Sequence, residues 1–137
     1  MTTKEYLYQL KEIDNLINAN QEEVDRLRAI AEKTTSRIKE VSVMESSGNR
    51  MEDTIIKIVE LENEINEEID RLIDIKVNAR RIVNQIEKIQ YRTVLIKYYF
   101  QNKTFEQTAV EMDKSYQWIC ELHGRALKEF SEIFEKS

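Results

Sequence analysis

Apolar side chains recur every seven residues along the first part of the chain, residues 2–43. One series of positions holds Leu10, Ile17, Val24, Ala31 and Ile38. The second series holds Tyr6, Ile13, Asn20, Leu27, Thr34 and Val41. This spacing predicts a single long helix with a narrow apolar seam, as a coiled coil requires. Thr2 and Glu5 match a capping box at its start.

A second heptad segment follows at residues 51–86. Its main series is Met51, Ile58, Ile65, Leu72, Ala79 and Ile86. Further apolar positions widen the stripe, namely Ile55, Leu61, Ile69, Ile75, Ile82 and Val83. This surface exceeds what one partner helix covers, so we expect an antiparallel helical hairpin that pairs with a second copy. Residues 42–50, with Gly48 and several serines, are the predicted loop, and Asn49 with Glu52 is the predicted cap.

The heptad is lost in residues 87–137, where the pattern indicates short helices of a globular domain. Tyr91, Val94, Leu95, Tyr98 and Tyr99 form one apolar stripe. Thr104 and Gln107 match a capping box, and Asp113 with Lys114 forms a turn. Ser115 is then expected to cap a last helix that runs to about Phe134. The pattern leaves the end of the second long helix undefined, because residues 86–91 contain no glycine or proline.

The predicted fold class is therefore all-α, with two parts. Residues 1–86 are expected to form the antiparallel hairpin, a coiled coil used for dimerisation. Residues 87–137 are expected to form a helix-turn-helix domain, since a short helix, a tight turn and a longer helix fall within about twenty residues. Ala109 is small enough for the two helices to approach closely, and Ile119 is the apolar anchor of the second helix.

The outward face of the last helix supplies the candidate DNA contacts. Those near its start are Ser115, Tyr116, Gln117, Trp118, Cys120 and Glu121. Basic side chains that could contact phosphates are Arg92, Lys97, Lys103, Lys114, Arg125 and Lys128. A glutamine can bind adenine through two hydrogen bonds, and a glutamate can accept one from a cytosine amino group. This set predicts duplex DNA as the partner.

Residues 104–127 resemble the C-terminal region of sigma factors, which reads the upstream promoter element. Other stretches are similar to small phage and prophage proteins of Gram-positive bacteria, often grouped with late-transcription regulators of the ArpU and RinA type. These stretches are residues 47–53, Leu61–Asp74, Tyr91-Arg92-Thr93 and residues 123–127. The resemblance implies a role in the control of phage genes inside a bacterial host cell.

The chain departs from the sigma pattern at several positions. Sigma factors usually carry arginines where this chain has Tyr116 and Cys120, so guanine readout at these positions is lost. Asp113-Lys114 replaces the commoner glycine turn, and aspartate tolerates the left-handed conformation. A segment that would melt a promoter is also missing. The protein must therefore dimerise on its own operator, with half-sites about 34 Å apart or a multiple of that, or dock on RNA polymerase.

Composition narrows the class of protein further. The chain has no proline, two glycines and a formal charge of −5, with the acidity concentrated in residues 44–86. A single cysteine, Cys120, excludes an internal disulfide framework and fits a reducing cytosol. The start of the chain is polar, and apolar runs are too short to span a bilayer. We expect a cytoplasmic protein that does not bind a membrane.

Enzymatic and metal-binding functions lack candidates. Cys120 and His123 are two ligands and do not close a zinc site. Acidic residues cluster at Glu60, Glu62, Glu64, Glu67, Glu68 and Asp70, as in all-helical nucleotide pyrophosphatases that bind magnesium. Several of them face away from the seam, as solvated charges do. The expectation is no enzyme, no metal and no cofactor.

The predicted function is that of a DNA-binding transcriptional regulator of phage or prophage genes. One alternative is a protein that docks on host RNA polymerase without independent DNA binding. Another is the recognition subunit of a phage DNA-packaging machine, similar to a small terminase, which also joins a helix-turn-helix to an oligomerising coiled coil.

Overall fold

The computed structural model describes residues 1–40 and 45–136, and within these ranges the chain is helical with no strand. The predicted all-α class is confirmed. The helices are α1 (Thr3–Glu40), α2 (Glu45–Asn84), α3 (Ile89–Leu95), α4 (Phe105–Met112) and α5 (Tyr116–Lys136). A π-helical turn, Ile96–Phe100, continues directly from α3.

The start of α2 corrects the predicted loop, and its end settles a boundary that the sequence left undefined. The helix begins at Glu45, so the predicted loop is wrong for residues 45–50, and residues 42–44 lie outside the described ranges. An isolated glycine costs only about 1 kcal/mol in a helix interior, which a helix of this length tolerates. At the other end α2 stops at Asn84, and turn hydrogen bonds follow from Gln85 N to Ile82 O and from Ile86 N to Val83 O.

The chain divides into two compact units. Unit 1 comprises Met1–Asp14 and Asp74–Ser137, and unit 2 comprises Asn15–Ile73. Both α1 and α2 contribute to each unit. The unit with the C-terminal helices thus also includes the start of α1 and the last turns of α2. The assignment of residues 1–86 to dimerisation and of 87–137 to DNA binding concerns roles and stays a prediction.

Unit 1 has an extensive apolar core that joins sequence-distant segments. Tyr6 stacks on Phe134 with ring centroids 4.7 Å apart, and Thr3 Oγ1 donates to Ser131 Oγ at 3.0 Å. Lys76 and Asp14 form an ion pair. The buried apolar residues are Leu7, Leu10, Ile13, Ala79, Ile82, Val83, Ile86, Tyr91, Val94, Leu95, Tyr99, Ala109, Ile119, Leu122, Ala126 and Phe130.

Unit 2 has a much smaller core. Its buried apolar side chains, among those described, are Val24, Leu27 and Ile69. An ion pair joins Arg28 Nε to Glu62 Oε1 at 2.6 Å. Asn20, a polar residue in the predicted seam, has its Nδ2 atom buried without a hydrogen-bond partner among the described residues. Large apolar side chains stay exposed instead, namely Leu16, Ile30, Ile56, Val59, Leu61 and Ile73.

Candidate nucleic-acid interface

The start of α4 is fixed by a capping box, as the sequence predicted. Gln107 N donates to Thr104 Oγ1 at 3.1 Å, and Thr104 N donates to Gln107 Oε1 at 2.9 Å. Two backbone donors that the helix cannot satisfy itself are thereby paired. Thr108 adds a hydrogen bond from its buried hydroxyl to Thr104 O at 2.8 Å. Helix α4 therefore begins at a defined residue.

The connection between α4 and α5 is a three-residue turn, residues 113–115. Asp113 takes the left-handed conformation, with φ 55° and ψ 48°. This geometry lets Lys114 N donate to Ala109 O at 2.9 Å, which closes the end of α4. Ser115 Oγ then accepts from Trp118 N at 3.1 Å and caps α5. The predicted roles of Asp113 and Ser115 in the turn are confirmed.

One side of α5 is buried and the other faces solvent. Ile119 is fully buried and Ala109 of α4 nearly so, as predicted. Of the candidate contacts, seven are exposed: Lys114, Ser115, Tyr116, Gln117, Glu121, Arg125 and Lys128. Lys103, Trp118 and Cys120 are half-buried. Gln117, Glu121 and Arg125 follow one another at four-residue steps and therefore share one face of the helix.

The basic side chains are not equally free. Lys97 Nζ lies 3.0 Å from Glu111 Oε1, and Lys103 pairs with the same carboxylate. The hydrogen bonds from Lys103 and Lys97 lower the pKa of the Glu111 carboxyl. A phosphate would have to compete with Glu111 for these two lysines. Lys114 instead lies over the ring of Trp118, 5.2 Å from its centroid, with its charge exposed.

A groove of about 190 Å³ lies beside the exposed face of α5. It is lined by Lys88, Gln90, Tyr91, Trp118, Glu121, Leu122 and Arg125. Sequence reasoning missed Lys88, because the end of α2 was undefined and this residue could not be placed. In the structure it immediately precedes α3, and its ammonium lies 5.1 Å from the ring centroid of Tyr91. Lys88 and Arg125 thus bring two basic groups to one groove.

An aromatic cluster behind α5 fixes the helix against the π-helical turn. Tyr99 Oη and His123 Nε2 are hydrogen-bonded at 2.7 Å, and both residues are buried. Tyr98 stacks on Phe105 with centroids 4.3 Å apart, and Lys11 Nζ lies 3.4 Å from the Tyr98 centroid. Burial, aided by Lys4 and Lys11, lowers the pKa of His123 to about 4. The neutral imidazole is therefore the form in the folded protein at pH 7.

Among the residues that the structure describes, no group of three or more His, Cys, Asp or Glu side chains could hold a metal ion. Within the same ranges, none of the helices combines the length and the apolar character needed to cross a bilayer. Comparisons with protein-family models, with curated proteins and with solved structures find no match to this chain.

Removal of the α4 capping box tests how far this turn depends on local hydrogen bonds. Thr104→Ala is expected to lower the free energy of unfolding by about 1 kcal/mol, since the Gln107 N–H loses the hydroxyl that accepts its hydrogen bond. Chemical denaturation followed by circular dichroism measures the change. Thr54→Ala is the matched control, because Thr54 donates only to the Arg50 carbonyl within an exposed helix, and alanine favours helix there. Equal losses in both variants would contradict the capping role.

Proposed function

We propose that this protein is a DNA-binding transcriptional regulator that reads duplex DNA with α5. In this proposal α4, residues 113–115 and α5 act as a helix-turn-helix, with α5 as the recognition helix. The observation that carries it is the exposed face of Gln117, Glu121 and Arg125 on a helix whose opposite side is anchored by Ile119. Because Ile119 anchors α5, these three side chains would be presented to a major groove in a defined orientation.

The chemistry of this face suits a mixed base and phosphate readout. The Gln117 amide can pair with adenine, and the Glu121 carboxylate can accept from a cytosine amino group. Arg125, Lys114 and Lys128 carry exposed positive charges for phosphates, and Lys88 adds one from the groove. Tyr116 and Cys120 supply no guanine-reading arginine. The preferred site should therefore be defined by adenine and cytosine positions.

A homodimer built on an antiparallel α1–α2 hairpin completes the proposal. Within unit 1 the start of α1 pairs with the end of α2 through Asp14 and Lys76, and within unit 2 Arg28 pairs with Glu62. The residue that lies later on α1, Arg28, pairs with the residue that lies earlier on α2, Glu62. This order supports the antiparallel arrangement. Two recognition helices would then bind half-sites about 34 Å, or a multiple of that, apart. The sequence resemblance suggests phage or prophage genes, in the cytoplasm of a bacterial host, as the setting.

A second candidate function is docking on host RNA polymerase without independent DNA affinity. The pairing of Lys97 and Lys103 with one glutamate favours it, because fewer free charges remain for phosphates. Residues 87–137 also carry equal numbers of acidic and basic side chains. A protein surface would tolerate this balance better than a duplex would.

Selection of bound fragments from randomised duplex DNA, at two salt concentrations, tests the proposal. Enrichment of a motif with inverted repeats is the expected result, and it would give the operator directly. Weak, salt-sensitive binding that enriches no DNA sequence would contradict sequence-specific recognition. Co-purification with polymerase subunits in that case would favour the second candidate.

Substitutions on α5 should separate phosphate contact from base readout. Arg125→Ala is expected to weaken binding to all sequences and to lower the slope of log affinity against log salt by about one. Gln117→Ala should instead relax the preference at one base pair. Titrations of labelled duplex across a salt series measure both effects. Lys136→Ala, an exposed charge at the far end of α5, is the control that should leave both unchanged.

A further inference from the structure

Helix α2 carries a second set of apolar side chains that its own chain leaves uncovered. Ile56, Val59, Ile73 and Val77 have exposed fractions of 54%, 45%, 43% and 39%. With Asn63, Asn66 and Asp70 they follow one another at alternating steps of three and four residues, so all seven share one helix face. We call these seven residues the outer stripe. It lies roughly 110° around the helix from the more buried Ile58, Ile65 and Ile69.

The outer stripe is self-complementary when it is turned end for end about Asn66. Val59 then lies opposite Ile73, while Ile56 and Asn63 lie within one residue's rise, about 1.5 Å, of Val77 and Asp70. Asn66 meets its own copy on the axis. Apolar pairs thus occupy both ends and polar pairs the centre, where an Asn63 amide can donate to an Asp70 carboxylate.

Charged residues beyond the stripe favour one of the two possible orientations of the paired α2 helices, antiparallel or parallel. Glu52 and Arg81, one turn outside Ile56 and Val77, are exposed and have no ion-pair partner among the described residues. In the end-for-end arrangement each Glu52 meets an Arg81. In a parallel arrangement Glu52, Asp70 and Arg81 would each face their own copies, and like charges repel.

We propose that the outer stripe is the docking surface for a second copy of this chain, with the two α2 helices antiparallel about a twofold axis at Asn66. This inference rests on the dimer of the proposed function and assigns it a surface and an orientation. The apolar pairs supply the driving force, since exposed aliphatic side chains leave water. The Asn66 pair and the two Asn63–Asp70 pairs set the register, because a shift would leave buried amides unpaired.

Sedimentation equilibrium of the full chain without DNA tests the surface. The wild-type protein is expected at twice its 16.4 kDa chain mass. Ile73→Glu should weaken the dimer at least tenfold, because the carboxylate would be buried against Val59. Leu61→Glu is the matched control, since Leu61 has the same exposed fraction of 43% on the far side of α2. A monomeric wild type, or equal loss in both variants, would overturn the proposal.

Charge reversal tests the orientation independently of the apolar contacts. Glu52→Arg and Arg81→Glu should each weaken the dimer about fivefold, since each places two like-charged pairs at the ends of the stripe. The double variant should recover wild-type dimer affinity. Additive weakening in the double variant would overturn the antiparallel assignment.

Cysteine cross-linking locates the axis. In a Cys120→Ser background, Asn66→Cys should form a disulfide-linked dimer under mild oxidation. Ile56→Cys should not, because two copies of residue 56 would lie about 30 Å apart along the helices. Cross-linking of both variants would show a parallel pair, and a dimeric mass without Asn66→Cys cross-linking would place the interface elsewhere.

These measurements separate failure of the dimer from failure of DNA binding. A dimer through the outer stripe that enriches no DNA sequence supports this inference and contradicts the proposed function. A monomer that still enriches a DNA motif contradicts this inference and supports the DNA binding of the proposed function.

Discussion

Replacement of Phe130 by alanine is expected to lower the free energy of unfolding by about 3–5 kcal/mol. Phe130 on α5 is completely buried, and its ring lies 6.3 Å from Tyr6 and 6.0 Å from Phe134. Truncation removes the apolar contact and leaves a cavity between α5 and the start of α1. A small domain has only about 5–15 kcal/mol of stability, so the variant should lose a large share of it.

Urea denaturation followed by circular dichroism measures this loss. Val110→Ala is the control, because Val110 is 81% exposed and its truncation should change stability by less than about 0.5 kcal/mol. Phe130→Leu should fall between the two, since it keeps most of the buried volume. A loss below 1 kcal/mol in Phe130→Ala would contradict the packing of α5 on α1.

Acidification from pH 7 to pH 4 is the second large effect, and it acts through His123. The imidazole has a pKa of about 4 in the folded protein, against about 6.5 in an unfolded chain. Between these values the unfolded state binds more protons, so stability is full above pH 6.5 and falls as the pH approaches 4. We expect the free energy of unfolding to fall by about 2 kcal/mol. This is less than the full pKa difference would give, because water partly screens the ring.

Other groups also titrate in this range, so the measurement needs a variant in which only His123 is removed. Urea denaturation at several pH values should show a steeper fall for the wild type than for His123→Gln. Burial favours the neutral ring of His123, as do the charges of Lys4 and Lys11 on α1. The rings packed against it are Tyr98 and Tyr99 on the π-helical turn and Phe105 on α4. Parallel pH profiles would show that another group causes the loss.

Local rules predicted the α4–α5 region well. The capping box of Thr104 and Gln107, the left-handed Asp113 and the Ser115 cap each depend on residues within a few positions of one another. Such interactions are encoded in short sequence windows. The same rules failed at the start of α2, because they treated Gly48 as a break although a long helix tolerates it.

Contacts between distant segments could not be predicted in this way. Nothing in the spacing of Tyr6 indicates that it packs against Phe130, and the pairing of Glu111 with two lysines depends on how α4 follows the π-helical turn. The outer stripe could not be predicted from the sequence for a different reason. Its polar centre, Asn63 to Asp70, interrupts the apolar repeat, so a search for continuous hydrophobic heptads misses both ends.

The assembly of unit 1 from two separated segments sets an order of events during synthesis. Thr3 and Ser131, which share a hydrogen bond, are 128 residues apart. A ribosome that adds about 5–20 residues per second needs roughly 6 to 25 seconds to cover that distance. Tyr6 emerges first and must wait for Phe130 and Phe134 of α5, so this part of the nascent chain is open to chaperones before its core can close.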